Sequence, residues 1–189
     1  MQHSGFRTKA VCMLQLALCM TAVSSVSATV LLPADFTTVV NDAGTIVHGR
    51  VVDVRSLLAG SSRAIESHVT VAVIESLKGA AGSFVTFRVP NGQVGRYRRI
   101  LVGAPEFAPG DEIVVFLRGR APAMPALYGL SQGLYRVSRT EGGAATVTPA
   151  ARTADGTGAE RIVRGDPARR PLPIRDFVRQ VTAVLERGR

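Results

Sequence analysis

Three groupings of residues in this 189-residue chain carry side chains that could do chemistry. Gly129-Leu130-Ser131-Gln132-Gly133 matches the G-x-S-x-G pattern of serine hydrolases. There the serine sits on a sharp turn between a strand and a helix, with a histidine further along the chain. Here Leu134-Tyr135-Arg136-Val137 reads as a strand, and no histidine follows His68. The glycines are therefore read as flanking a tight turn in a β hairpin, and no catalytic residue is assigned. The second grouping is His48 and His68 with Asp53 and Glu66. If the connection between their strands centres near Ala59–Gly60, His48 faces residues 70 to 72. His68 is then at best a diagonal neighbour, ~7–8 Å away. That is too far for a zinc shell, whose donors lie about 2 Å from the ion. The histidines read as solvent-facing strand residues, and Arg50–Glu66 and Asp53–Arg63 as cross-strand charge pairs. No metal site and no cofactor is expected.

The third grouping, Arg96-Tyr97-Arg98-Arg99, is the densest basic spot in the chain. Barrels that bind single-stranded nucleic acid combine such loops with aromatic stacking platforms. Aromatic residues make up only 5% of this chain and tryptophan is absent, which disfavours nucleic acid. Arg96, Tyr97, Arg98 and Arg99 are the candidate binding residues. The expected partner is an anionic envelope polymer or an acidic protein; the alternative is a solvated loop.

The N-terminus argues for export. Arg7 and Lys9 precede the 14-residue apolar run Ala10–Val23, and Ser24-Ser25-Val26-Ser27-Ala28 supplies small residues. This is the order of a secretory signal peptide, placing a leader at 1–28 cleaved after Ala28. The run is short of the roughly 20 residues of a permanent span. No transmembrane helix is expected in the mature chain, and the location is periplasmic or extracellular. Cleavage removes Cys12 and Cys19, the only cysteines, so no disulfide can brace the mature fold. It also removes Arg7 and Lys9, taking the net charge from +9 to +7. Anionic partners suit that balance. The charge is nevertheless spread along the chain, as solubility alone would require.

The elements that must position these residues are mostly strands. Pro33–Ala43 reads as a short helix, with Pro33 in its first turn, Asp35 at the positive end of its dipole, and Phe36, Val39 and Val40 on one side. Thr45–Arg55 begins with Val47, Gly49 and Val51 inward, and the pattern inverts at Val52. A β-bulge near Val51–Val52 accounts for the inversion, and Gly49 permits close approach of a neighbouring strand. Leu57–Arg63 is the connection to a second strand, Ala64–Leu77, and Ser83–Val89 forms a third. Residues 93–110 form an irregular basic excursion with one short strand. Asp111–Arg118 (DEIVVFLR) is a continuous apolar strand covered on both sides. Tyr128–Ser138 and Ala144–Thr148 complete the sheet. This is a mainly β domain over 29–149, an antiparallel OB-like barrel or a β-sandwich. A flexible linker, 150–172, leads to an amphipathic helix over 173–189. At that length the helix needs a surface to dock on: this domain, a partner or a membrane.

The run Asp42-Ala43-Gly44-Thr45-Ile46-Val47-His48-Gly49-Arg50-Val51-Val52, followed by Val69–Val73 and Leu77-Lys78-Gly79, resembles the first half of the netrin-like domain of tissue inhibitors of metalloproteinases and complement proteins. Continuing through Val85, Pro90 and Gly110–Leu117, it is also similar to a group of exported bacterial proteins. The resemblance covers about Asp42–Leu117 and implies a closed OB-type barrel. It does not carry over the inhibitor mechanism, in which an N-terminal cysteine ligates the protease zinc, because this mature chain has no cysteine. The expected function is an exported, non-catalytic binding module. The alternative is an enzyme with a site built from Asp, Glu and Arg.

Overall fold

The computed structural model describes residues 34–60, 63–119, 122–150 and 170–188. The leader expected over 1–28 and residues 151–169 of the expected linker lie outside them. The first described element is helix α1, Phe36–Asp42. Asp35 is its N-cap, one position before the first turn: the carboxylate accepts from the Thr38 amide at 2.8 Å and from the Thr38 hydroxyl at 2.7 Å. The other end is capped from a distance. Lys78 Nζ donates to the carbonyls of Val40 and Asn41 at 2.8 and 2.7 Å, and partial burial lowers its pKa.

Strands β1 (Thr45–Ala59) and β2 (Ala64–Lys78) form a long antiparallel hairpin. Val51 pairs with Val71 and Asp53 with Thr70, so Val52 is the extra residue of a bulge, as the inverted pattern predicts. The bulge returns Val54 to the inner face, opposite Val69. A Cβ on Gly49 would lie 2.4 Å from the Ala72 carbonyl oxygen, so only glycine lets β1 coil this tightly over β2. Leu57, Leu58 and Ala59 belong to β1, not to the connection expected from Leu57 onward. The turn therefore lies later, and His48 pairs with Glu75 instead of facing residues 70 to 72.

Strand β3 (Phe84–Val89) follows on β2, and a small hairpin, β4 (Gly92–Val94) and β5 (Tyr97–Arg99), stands apart as its own sheet. Strand β6 (Glu112–Arg118) pairs with β1, and β7 (Ala126–Leu127) bridges β6 to β3. The β3–β7 step is the parallel one. The ring β1-β2-β3-β7-β6-β1 is a closed, five-strand, mixed barrel of OB-like topology. Val47, Val51, Val69, Phe87, Ile113, Val115 and Leu117 fill its interior, each at most 1% exposed.

Strands β8 (Leu134–Arg139), β9 (Ala145–Pro149) and β10 (Leu172–Pro173) extend the sheet from β6. Leu172 pairs with Val147, so the sheet resumes inside the stretch expected to be linker. The turn holding Ser131 joins β7 to β8, which both pair with β6 and not with each other, so it is not a hairpin turn. A Cβ on Gly133 would sit 2.8 Å from the Phe116 carbonyl oxygen, which explains the second glycine of the pattern. Gln132 is buried, and its Oε1 accepts from the Ala34 amide at 2.7 Å.

Helix α2, Ile174–Arg187, docks on the outside of the barrel through Phe177, Val181 and Val184. They join Val39 and Val40 of α1 with Ile46, Val114, Phe116 and Tyr135 in a second core. Phe177 and Tyr135 rings lie 4.6 Å apart, and Phe36 meets Phe177 edge-on at 5.7 Å. Strand β6 is thus covered on both faces: odd residues face the barrel axis and even residues face the helices. That is why it reads as an unbroken apolar run.

Candidate functional site

The sequence expectation places binding on Arg96, Tyr97, Arg98 and Arg99, and these residues lie on and beside β5 of the small hairpin. Its pairing, Gly92 with Arg99 and Val94 with Tyr97, turns at Gly95 (φ +58°). The apolar run Ile100-Leu101-Val102, the natural candidate for a strand in this excursion, is instead exposed loop just after β5.

The hairpin is fastened to the β1–β2 arm. At Gly92 (φ +145°) a Cβ would come within 2.5 Å of both Ser56 Oγ and Ser67 Oγ, so the backbone lies directly on this pair of hydroxyls. Ser67 Oγ donates to the Asn91 carbonyl at 2.8 Å, and the Gln93 amide donates to Ser56 Oγ at 3.2 Å. The four predicted side chains then divide by role. Arg98 pairs with Glu106 at 2.6 Å, and Arg99 donates to the Ile65 carbonyl at 3.2 Å. These two brace the loop. Arg96 lies over the Tyr97 ring at 5.1 Å and donates to its hydroxyl at 2.9 Å, with Tyr97 63% exposed. Between hairpin and barrel end is a cleft of about 390 Å³, floored by Val54, Val69 and Val89 and walled by Arg98, Arg99, Leu101, Glu106 and Phe107. The one carboxylate among the described residues lining it, Glu106, is the partner of Arg98.

The second site is one the sequence reading missed. Glu112 opens β6 with only 6% of its side chain exposed. Its Oε1 accepts from Arg139 Nη2 at 2.6 Å and lies 2.9 Å from His48 Nε2. Its Oε2 accepts from Arg139 Nε at 3.0 Å and Arg50 Nη2 at 3.2 Å. Arg139 grips the carboxylate with two parallel bonds. These bonds, with a smaller contribution from His48, outweigh burial and lower the Glu112 pKa to about 2. Such a group holds no proton to give near neutral pH. The cluster is a lock joining β1, β6 and β8. It also corrects the expectation for His48, which is buried, 4% exposed, with Glu112 of β6 against it on that outward face.

The remaining charge pairs differ from expectation as well. Glu66 meets His68 at 3.0 Å and Arg88 at 3.7 Å, not Arg50. Asp53 meets Arg55 at 2.8 Å, not Arg63. Both follow from the later turn, which sets Glu66 opposite Leu57. Among the described residues, no three His, Cys, Asp or Glu side chains converge as a metal shell would need. No described helix is long and apolar enough to cross a membrane. Two further open clefts, one beside Lys78 and Leu185 and one beside Thr45 and Met124, have no carboxylate among the described residues that line them. Comparison with family models, with curated proteins and with solved structures finds no match to this chain.

Proposed function

We propose that this chain is an exported, non-catalytic binding module whose β4–β5 hairpin and following loop meet an anionic component of the cell envelope. The observation that carries the reading is the combination at residues 96–102. Cationic Arg96, aromatic Tyr97 and aliphatic Ile100 and Val102 stand exposed on a loop fastened at its root. Apolar side chains held outward in this way mark contact surfaces. The catalytic alternative asks for a pocket that gathers carboxylates with perturbed titration. The barrel axis is filled by aliphatic and aromatic side chains, and the strongly shifted carboxylate, Glu112, is consumed by its own ion pairs.

Export rests on the order of Arg7 and Lys9, the apolar run and the small residues ending at Ala28. Kinship with netrin-like barrels, or with exported bacterial proteins, rests on the likeness over Asp42–Leu117. Both belong to the proposal. Its test is photo-crosslinking from position 97 in intact cells, set against a control position on another exposed surface. Export is tested by the first residue of the protein recovered outside the cytoplasm: Thr29 is expected, and a chain still beginning at Met1 contradicts it.

A further inference from the structure

The chemistry of the exposed loop narrows what it contacts. Ile100, Leu101 and Val102 are consecutive and are 71%, 38% and 62% exposed, directly after Tyr97-Arg98-Arg99. The segment is fastened on both sides. On one side the hairpin lies on Ser56 and Ser67. On the other, Asn91 Nδ2 donates to the Pro105 carbonyl at 2.8 Å, and Arg136 donates to the Glu106 carbonyl at 2.6 Å. Phe107 packs edge-on against the barrel's Phe87 at 5.5 Å, and the Ala104 amide closes a turn onto the Leu101 carbonyl at 2.9 Å.

We infer that residues 96–102 insert into the surface of an anionic phospholipid layer. The aliphatic side chains enter the headgroup–acyl boundary, Tyr97 sits at the interface, and Arg96 meets phosphate. This rests on the reading of the hairpin as the contact surface and names its partner. A polyanionic chain would be held by cations and stacked rings, and it would gain little from a strip of aliphatic side chains. A stable protein partner covers about 800 Å² on each side, more than one short loop offers. A lipid surface uses what is present. A small apolar strip adds burial to charge attraction, tyrosine favours the interfacial level, and the net charge of +7 left once Arg7 and Lys9 are removed from +9 has the matching sign.

The chain has no tryptophan, so Tyr97→Trp places a single reporter in the loop. The shift it gives belongs to the loop, whatever else of the chain touches lipid. The full-length protein carrying this substitution is titrated with phosphatidylcholine vesicles with and without phosphatidylglycerol, and separately with dextran sulfate as a soluble polyanion. The expected result is a blue-shifted emission, quenched by lipids brominated near the headgroup, with the anionic vesicles alone. Adding Ile100→Ser and Val102→Ser should weaken this partition about tenfold or more. Arg96→Gln should weaken it about fivefold and flatten its salt dependence. Phe84→Ser, at an exposed apolar residue of β3, should leave it unchanged. An equal shift with zwitterionic vesicles, or equal weakening by Phe84→Ser, overturns the inference. A shift with dextran sulfate and none with either vesicle overturns the lipid partner while leaving the binding module standing. No response to any of the three overturns both.

Discussion

Replacing Glu112 by glutamine removes one charge from the centre of the β1–β6–β8 lock and changes almost nothing in shape. The folded-state pKa of Glu112 is about 2, against 4.5 for the free side chain. That difference corresponds to about 3 kcal/mol of stability at neutral pH. Arg50 and Arg139 are about half exposed, and water can take over part of their solvation once the carboxylate is gone. The loss in Glu112→Gln is therefore expected to be about 2–3 kcal/mol at pH 7. The sign of the pH dependence follows from the direction of the shift. A depressed carboxylate contributes fully above its unfolded pKa and loses that contribution as pH falls through its folded pKa. The wild type should therefore shed this stability between pH 4.5 and about 2, whereas the variant, which mimics the protonated side chain, has none of it to lose. Urea unfolding of both proteins at a series of pH values measures the gap, and the other titrating groups cancel in the difference. The gap should close to below about 1 kcal/mol near pH 2. A gap under about 0.5 kcal/mol at pH 7, or one that stays constant with pH, would refute the lock.

Two further substitutions probe the layers around it. Phe177→Ala empties the centre of the second core, where the ring meets Phe36, Phe116 and Tyr135. It should cost about 3–5 kcal/mol in urea unfolding, and a loss under 1 kcal/mol would mean that α2 is not docked there. Gly92→Ala puts a Cβ within 2.5 Å of two serine oxygens at a backbone conformation that L side chains resist. It should raise amide exchange over residues 92–99 while costing about 1–3 kcal/mol globally. Unchanged exchange in the hairpin would mean it is not fastened at this point.

Much of the barrel was legible because its signals are local. The inversion at Val52 marks a bulge, Gly49 marks a close strand crossing, and the run at 113–117 marks a strand buried on both faces. Helix α2 was legible for the same reason, from the spacing of Phe177, Val181 and Val184. The Glu112 lock was not, because its partners His48 and Arg50 lie 64 and 62 residues away in sequence, and a polar residue heading a strand looks like a solvated end. The alternation around residue 48 does set His48 on the outward face. What covers that face comes from β6 and β8, which no pattern around residue 48 can report. The later β1–β2 turn moved every cross-strand partner, and with them the expected charge pairs. The basic cluster was found by composition alone. Its division into Arg98 and Arg99 as braces, with Arg96 and Tyr97 exposed, depends on Glu106 and the Ile65 carbonyl and so on tertiary pairing. The aliphatic run after it has the composition of a strand, and its exposure depends on the hairpin's fastening to Ser56 and Ser67, which are 11 residues apart in sequence.

The central claim is that the 96–102 loop is the surface this protein uses. It is tested most directly by placing a photo-reactive side chain at Tyr97, and in a separate protein at Phe84, which is equally exposed at 63%. Each is irradiated in cells that export the chain. Saturable envelope adducts, suppressed by raised salt, are expected from position 97, and none above background from position 84. Equal labelling from both positions, or none from position 97, would contradict it.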